Sequence, residues 1–355
     1  MTIDRYYDHQ HGIEYCEGRN PERLLGCIPS KVQAEYAAQR GEQSDVDRIA
    51  ELAAPWDASD KPSIIKWDDA WIHKLEQDAA VFDRLRDTKT LPPWWEIAAQ
   101  FGYKPAELCG STQMTNDCTA WALRRLATIL ALYLKWQGYE IDIEAYNPMG
   151  LYCYASGETP REYAYVANNG RTIYKICETA CNIGNFPESA IGKYNGNPQY
   201  TPLMIKSVDV AAENQTGFVY IGEKSAQELA DIIILSLRAC RPVIIGNIVA
   251  LRDGTHQNAD GVYVSDVGGT WGGGHATAAV DIKKVGDRYY PWIYNSHGSL
   301  YPAPDGSPDG GTYITQEALA RYLSGSSTDV MLATYQERPR VEYYDLNVGG
   351  VCPNE

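Results

Sequence analysis

The chain has 355 residues, with 31 Lys and Arg against 46 Asp and Glu, a formal net charge of −15 at pH 7. Its apolar content suits a packed interior, which excludes global disorder, and its length fits one large domain or two ordinary ones. The acidic balance excludes electrostatic binding to nucleic acid or to an anionic membrane, because no basic excess is present to neutralise phosphates. Nine cysteines, an odd count, leave at least one thiol unpaired within the chain.

Met1 to Arg5 lack the basic-then-apolar pattern of a signal peptide. The longest apolar stretch is interrupted by Arg124, Arg125 and Lys135, too closely spaced for a membrane span. A cytoplasmic protein with reduced thiols is expected. Residues 1–88 read as a mostly helical, charged extension, with helical spacing over 30–54 and 67–86, a break at 57–62, and Leu91-Pro92-Pro93 closing the region. His9, His11 and Cys16 lack a complete ligand set at metal spacing and read as part of an exposed arm.

Asn116 and Asp117, good N-cap types, precede a helix expected over 119–137, apolar on nearly every face through Trp121, Leu123, Leu126, Ile129 and Leu130. Gly138 supplies its stop. Further helices are expected over 171–182 and 226–240. Cys177 and Cys181, four apart on the first of these, read as core thiols and not as metal ligands. Beyond Pro242 the period changes: 243–249 reads as a buried strand, and 275–285 and 288–295 as two strands joined at Gly286-Asp287. The Gly-dense stretch 268–274 lacks the Lys-Ser/Thr ending of a phosphate loop. Helices first and antiparallel strands later is an α+β order.

Three features stand in an order that carries chemistry: Cys118 at the start of a buried helix, His275 after a glycine run, and Asn295 at the end of the next strand. A helix N-terminus favours a thiolate through its unpaired N–H groups. A histidine serves as base, a neutral amide holds its ring in one tautomer, and Gln113, five residues before the cysteine, is a candidate oxyanion donor.

The segment Gln113-Met114-Thr115-Asn116-Asp117-Cys118-Thr119-Ala120-Trp121 resembles the nucleophile segment of papain-like cysteine peptidases. Gly274-His275-Ala276 is similar to their histidine segment, and Tyr294-Asn295-Ser296-His297-Gly298 to their Asn-Ser-Trp-Gly segment. Leu91-Pro92-Pro93-Trp94, Asn169-Gly170 and the turn from Gly184 to Ser189 agree in order, so the resemblance spans roughly 91–335. It implies a two-lobed α+β fold, one lobe helical and the other an antiparallel β-barrel-like lobe. It also implies Cys118 as nucleophile, His275 as base then acid, Asn295 as orienter, Gln113 as oxyanion donor, and a substrate strip at Asn169, Gly170 and Gly274. The chain departs from the family in a Gln-to-Cys spacing one residue shorter, in Thr119 and His297 where the family has tryptophans, and in Asp117 beside the nucleophile.

The domains expected are 1–88, a propeptide-like or assembly arm; 89–338, the peptidase domain; and 339–355, a tail. The function implied is cleavage of peptide or isopeptide bonds in a polypeptide, with no cofactor and no metal. The alternative is a papain-like fold serving as an assembly component, for example of a virion, as a homo-oligomer or part of a larger assembly.

Overall fold

The computed structural model describes residues 62–334, except 111, 140, 298–300, 303–305, 326 and 327, together with the backbone of residues 5–8 and 13–16; at 271–273 the backbone alone is described. The helix expected at 30–54, His9, His11, the break at 57–61, Gly298 and the tail at 339–355 lie outside the described residues. Contacts divide the chain into two units, and Pro55–Tyr133 with Asp142–Glu337 is the one that holds the large sheet and the candidate site. The strand pair β1 (Arg5–Asp8) and β2 (Ile13–Cys16) is antiparallel, with Arg5 opposite Cys16.

Strand β3 (Ile64–Lys66) and helix α1 (Ala70–Asp87) come first in the larger unit. A helical stretch follows: α2 (Trp94–Gln100), α3 (Pro105–Leu108), α4 (Cys118–Trp136), α5 (Pro148–Tyr154), α6 (Ile173–Asn182), α7 (Glu188–Ile191), α8 (Pro202–Lys206) and α9 (Val208–Ala212). Then come β4 (Phe218–Tyr220), α10 (Ala226–Arg238), β5 (Val243–Leu251), β6 (His256–Gln257), β7 (Tyr263–Val264), β8 (Val267–Val285), β9 (Arg288–Tyr294), β10 (Gly311–Tyr313), α11 (Gln316–Tyr322) and β11 (Asp329–Ala333). The α+β order expected from the sequence is the order found.

The helix boundaries follow from capping chemistry. Gly138, at φ +94°, ends α4: its N–H donates to the Lys135 carbonyl at 3.0 Å and the Tyr139 N–H to the Leu134 carbonyl at 3.1 Å. Ser225 and Glu228 close a reciprocal capping box on α10. That helix stops at Arg238, short of the expected Cys240, because Cys240 takes the left-handed conformation (φ +55°) that a glycine would ordinarily supply. Helix α1 buries Leu75, Ala79, Phe82 and Leu85 along one stripe and packs on α10. At the end of that packing Arg86 donates to the Leu237 and Arg238 carbonyls at 2.9 and 2.6 Å, satisfying the last turn of α10.

The nine-stranded sheet runs β3-β4-β11-β5-β8-β9-β10-β7-β6. It is open and mixed: β3 lies parallel to β4 and β10 parallel to β7 at its two sides. Parallel pairing needs a long crossover, and the whole helical stretch between Lys66 and Phe218 provides one. The centre is antiparallel, β5 with β8 and β8 with β9, and Gly286 (φ +58°) with Asp287 makes the two-residue turn between Val285 and Arg288. Strand β8 starts at Val267, not at His275, so the glycine run is strand. Its ladder with β5 shifts register after Asn247 opposite His275, the kind of irregularity that re-aims side chains beside a site.

Candidate active site

The sequence places Cys118 at the first residue of α4, and the structure keeps it there, with Trp121 N–H closing the first helical bond to the Asp117 carbonyl at 3.1 Å. Asp117 is therefore the cap residue, with its side chain turned inward towards the Tyr194 hydroxyl and Thr115. Fully buried and with neither carboxylate oxygen in hydrogen-bonding geometry, this carboxyl is pushed up by burial to a pKa of about 6. Asn116 clasps the facing loop: its N–H donates to Asn168 Oδ1 at 3.0 Å and its Nδ2 to the Asn168 carbonyl at 2.9 Å. That clasp sets Asn169 and Gly170 beside the start of α4.

His275 enters from β8 and Asn295 from the end of β9, and they meet where these adjacent strands run side by side. His275 Nε2 lies 2.8 Å from Asn295 Oδ1. The amide orientation is fixed from two sides, because Oδ1 also accepts the Ser296 N–H at 2.7 Å while Nδ2 donates to the Tyr301 hydroxyl at 2.8 Å. An oxygen facing Nε2 requires Nε2 to carry the proton, which leaves Nδ1 of the neutral ring with its lone pair. Burial lowers the His275 pKa to about 4, against the Asn295 bond that raises it, and His297 and Arg125 lower it further. His275 is thus a neutral base at pH 7.

The Cys118 thiol, half-buried, is pushed above its ordinary pKa chiefly by burial. The Ala276 backbone N–H bonded to it pulls the value down, the Asp117 charge raises it, and the first N–H groups of α4 lower it. The helix N-terminus, which the sequence argument expected to favour a thiolate, is opposed here by burial and by Asp117, and the net direction for Cys118 is upward. The contact with Ala276 puts the sulfur against the residue that follows His275.

Gln113 is tied to the Asn295 segment. Its backbone N–H donates to the Ser296 carbonyl at 2.9 Å, and its Oε1 accepts the Ser296 hydroxyl. Its Nε2 uses one hydrogen on the Thr115 carbonyl at 3.1 Å, which leaves the second for another acceptor. His297 lies with its ring centroid 4.6 Å from that of His275, tilted by 50°. Trp121, three residues after the cysteine, packs edge-on to Tyr194 at 4.9 Å and lies beneath Arg124.

A cleft of about 540 Å³ is lined by Cys118, His275, Gln113, Asn169, Gly170 and Gly274, among others, and Asn295 sits fully buried behind His275. All seven candidate residues are thereby brought to one place. Gly274 has open space where a Cβ would stand. Gly170, at φ +78°, already uses its N–H on the Tyr152 hydroxyl at 3.3 Å and its carbonyl on Arg171 at 2.7 Å. The carbonyl keeps a second lone pair for a ligand. Sequence reasoning assigned no role to Ser296 or Tyr301. The signal for Ser296 was its place beside Asn295; that for Tyr301 was absent, since the chain's path after Asn295 brings it back.

Cys177 and Cys181 are buried thiols on α6, and Cys181 Sγ donates to the Thr216 carbonyl at 3.1 Å. Cys109, Cys153 and Cys240 are also free and buried, with their pKa values pushed to about 12 by burial. No helix among the described residues is long and apolar enough to cross a membrane.

No family model matches the chain, and no curated protein matches it in sequence. Among solved structures it is similar to xylellain, a cysteine protease from Xylella fastidiosa, at 15% identity and a TM-score of 0.44, covering 64% of this chain and 83% of that one. It is similar to the Carica candamarcensis cysteine protease CMS1MS2, at 16% identity and a TM-score of 0.40, covering 69% and 98%. It is also similar to digestive procathepsin L 3 of Tenebrio molitor larval midgut, at 11% identity and a TM-score of 0.40, covering 88% and 93%.

Proposed function

We propose that this protein is a papain-like cysteine hydrolase that cleaves peptide or isopeptide bonds of a polypeptide through Cys118, His275 and Asn295. The observation that carries the reading is the His275–Asn295 bond, whose fixed amide leaves the imidazole's other nitrogen basic in the cleft that Cys118 lines. In the first step His275 Nδ1 takes the Cys118 proton as sulfur attacks the substrate carbonyl carbon. The oxygen, now negative, is received by the Cys118 backbone N–H at the start of α4 and by the free hydrogen of Gln113 Nε2. Asn295 stabilises the imidazolium that forms, His275 returns the proton to the leaving amine, and water attacks the thioester by the same route in reverse. No cofactor or metal takes part in these steps.

The test is thiol labelling of the intact protein followed by peptide mapping. Cys118, half-exposed and near a base, is expected to react with iodoacetamide at pH 7 before buried Cys109, Cys153, Cys177, Cys181 and Cys240. Cys118→Ala is expected to abolish peptide cleavage, a loss of at least about 10³-fold for a missing nucleophile. Equal, slow labelling of Cys118 and these five buried thiols, or cleavage that survives Cys118→Ala, overturns the assignment.

A further inference from the structure

His297 stands where the resembled family has a tryptophan, and it puts a second titratable ring against His275. The ring centroids are 4.6 Å apart with planes tilted by 50°, and both residues line the cleft that Cys118 lines. The backbone under His297 is tied down. Thr112 and His297 form an antiparallel bridge, and the Gln113 N–H donates to the Ser296 carbonyl at 2.9 Å, which fastens this turn to the segment leading into α4. On the other side Asn295 holds His275. A tryptophan carries no titrating charge, whereas an imidazole gains one within the range in which proteins work.

The titratable and charged groups that face His297 come from three elements. His275 faces it from β8, Arg125 from within α4, and Asp253, exposed, from the loop after β5. Arg125 is a fixed cation, because burial lowers its pKa only to about 10. Burial lowers His297, which is half-buried; Asp253 pulls it up, and Arg125 pushes it down. His275 is buried more deeply, and the charges acting on it are those of His297 and Arg125, both positive. As pH falls, the half-buried ring with a carboxylate near it takes a proton first, and His275 then has a cation against its face.

We infer that His297 governs how strong a base His275 is: neutral, it lets His275 accept the Cys118 proton, and protonated, it opposes the imidazolium that this transfer creates. The consequence for turnover rests on the proposed hydrolase reading, whereas the coupling of the two rings does not. His297 acts only through His275. A like charge at this separation moves the His275 midpoint down by about one pH unit, tenfold in proton affinity. Acidification therefore acts in two stages. The first proton, on His297, leaves His275 unprotonated but about tenfold less able to take the thiol proton; the second, on His275 itself, removes the base.

The experiment is a pH titration of the full chain carrying ¹³C-labelled histidine, followed by NMR, with the two rings assigned from the signals lost in His297→Phe and His275→Gln. The His275 signal is expected to show an inflection at the His297 midpoint before its own. Its own midpoint is expected to rise by about one pH unit in His297→Phe. Asp253→Asn, a change at an exposed position, is expected to lower the His297 midpoint and to carry the inflection in His275 down with it. A His275 midpoint that is the same with and without His297, or an inflection that stays in place while the His297 midpoint moves, overturns the inference. In cleavage assays the acid limb of kcat/KM is expected to fall first to about a tenth and then to zero, and to become a single step in His297→Phe; a single step in the unaltered protein overturns the inference as well. A protein that shows the NMR coupling and cleaves no peptide removes only the hydrolase reading.

Discussion

Asp117 is the residue at which this site departs furthest from what its chemistry asks for. Its carboxyl is buried beside Cys118, and burial lifts its pKa from 3.8 to about 6. Folding therefore favours the protonated form. The contribution is fully present below the unfolded value near 3.8 and is lost as pH rises through about 6, above which the buried carboxylate destabilises the fold by about 3 kcal/mol. Asp117→Asn is expected to raise stability by about 2–3 kcal/mol at pH 8 and to change little at pH 4, read from urea midpoints with an unaltered slope. The same change removes the negative charge that holds the Cys118 thiol up, so its labelling at pH 7 should quicken. A gain that is equal at both pH values would assign the effect to something other than ionisation. Cys118, His275 and Asn295 were legible in the sequence because residue type and chain order alone suggest them. The shifts at Cys118 and His275 were not, because they depend on burial and on how Asp117 is enclosed, both set by distant segments such as the one that carries Tyr194.

At the scale of elements, the buried helix α4 and the strands after Pro242 were readable from periodicity and turn residues. The start of β8 was not. A run of glycines has low strand propensity, and what makes it strand is its ladder with β5 and its irregular register near His275, neither of which is a local property. Another glycine shows how tightly the sheet's far side is built. Gly311 opens β10 opposite Tyr294 on β9, and a Cβ there would lie against the Trp292 indole. Trp292 is almost wholly buried, between Trp95 at 5.3 Å and Tyr313 at 4.8 Å, so the ring has no room to retreat. Gly311→Ala is expected to cost about 1–3 kcal/mol by overpacking, measured by chemical denaturation. In the pair Gly311→Ala with Trp292→Phe the losses should sum to less than the two singles, since the smaller ring gives the methyl its space. Strict additivity would place the strain elsewhere.

For the whole molecule, the Leu91-Pro92-Pro93 break suggested that a separable segment ends near residue 88. The sheet begins earlier. Ile64-Ile65-Lys66 is too short for an alternating pattern to announce it as a strand, yet it forms the parallel edge beside β4, with Trp67 N–H donating to the Tyr220 carbonyl at 2.9 Å. Helix α1 then lays Leu75, Val81, Phe82 and Leu85 against the unit, each buried to 6% exposure or less. Burying four such side chains contributes roughly 1.5–3 kcal/mol apiece, as an upper estimate, a sum comparable to the ~5–15 kcal/mol by which a typical domain is stable. Removing them also strips the Arg86 bonds from the end of α10 and bares the β4 edge to pairing with other chains. A chain that starts at residue 89 is therefore expected to lose cooperative unfolding and to aggregate, whereas the full chain gives a single sharp transition by circular dichroism for this unit. A segment discarded during maturation must leave a remainder that folds. If the chain starting at 89 unfolds cooperatively at an unchanged midpoint, β3 and α1 are dispensable and the propeptide role can extend to residue 88. If it does not, any such role ends before Ile64.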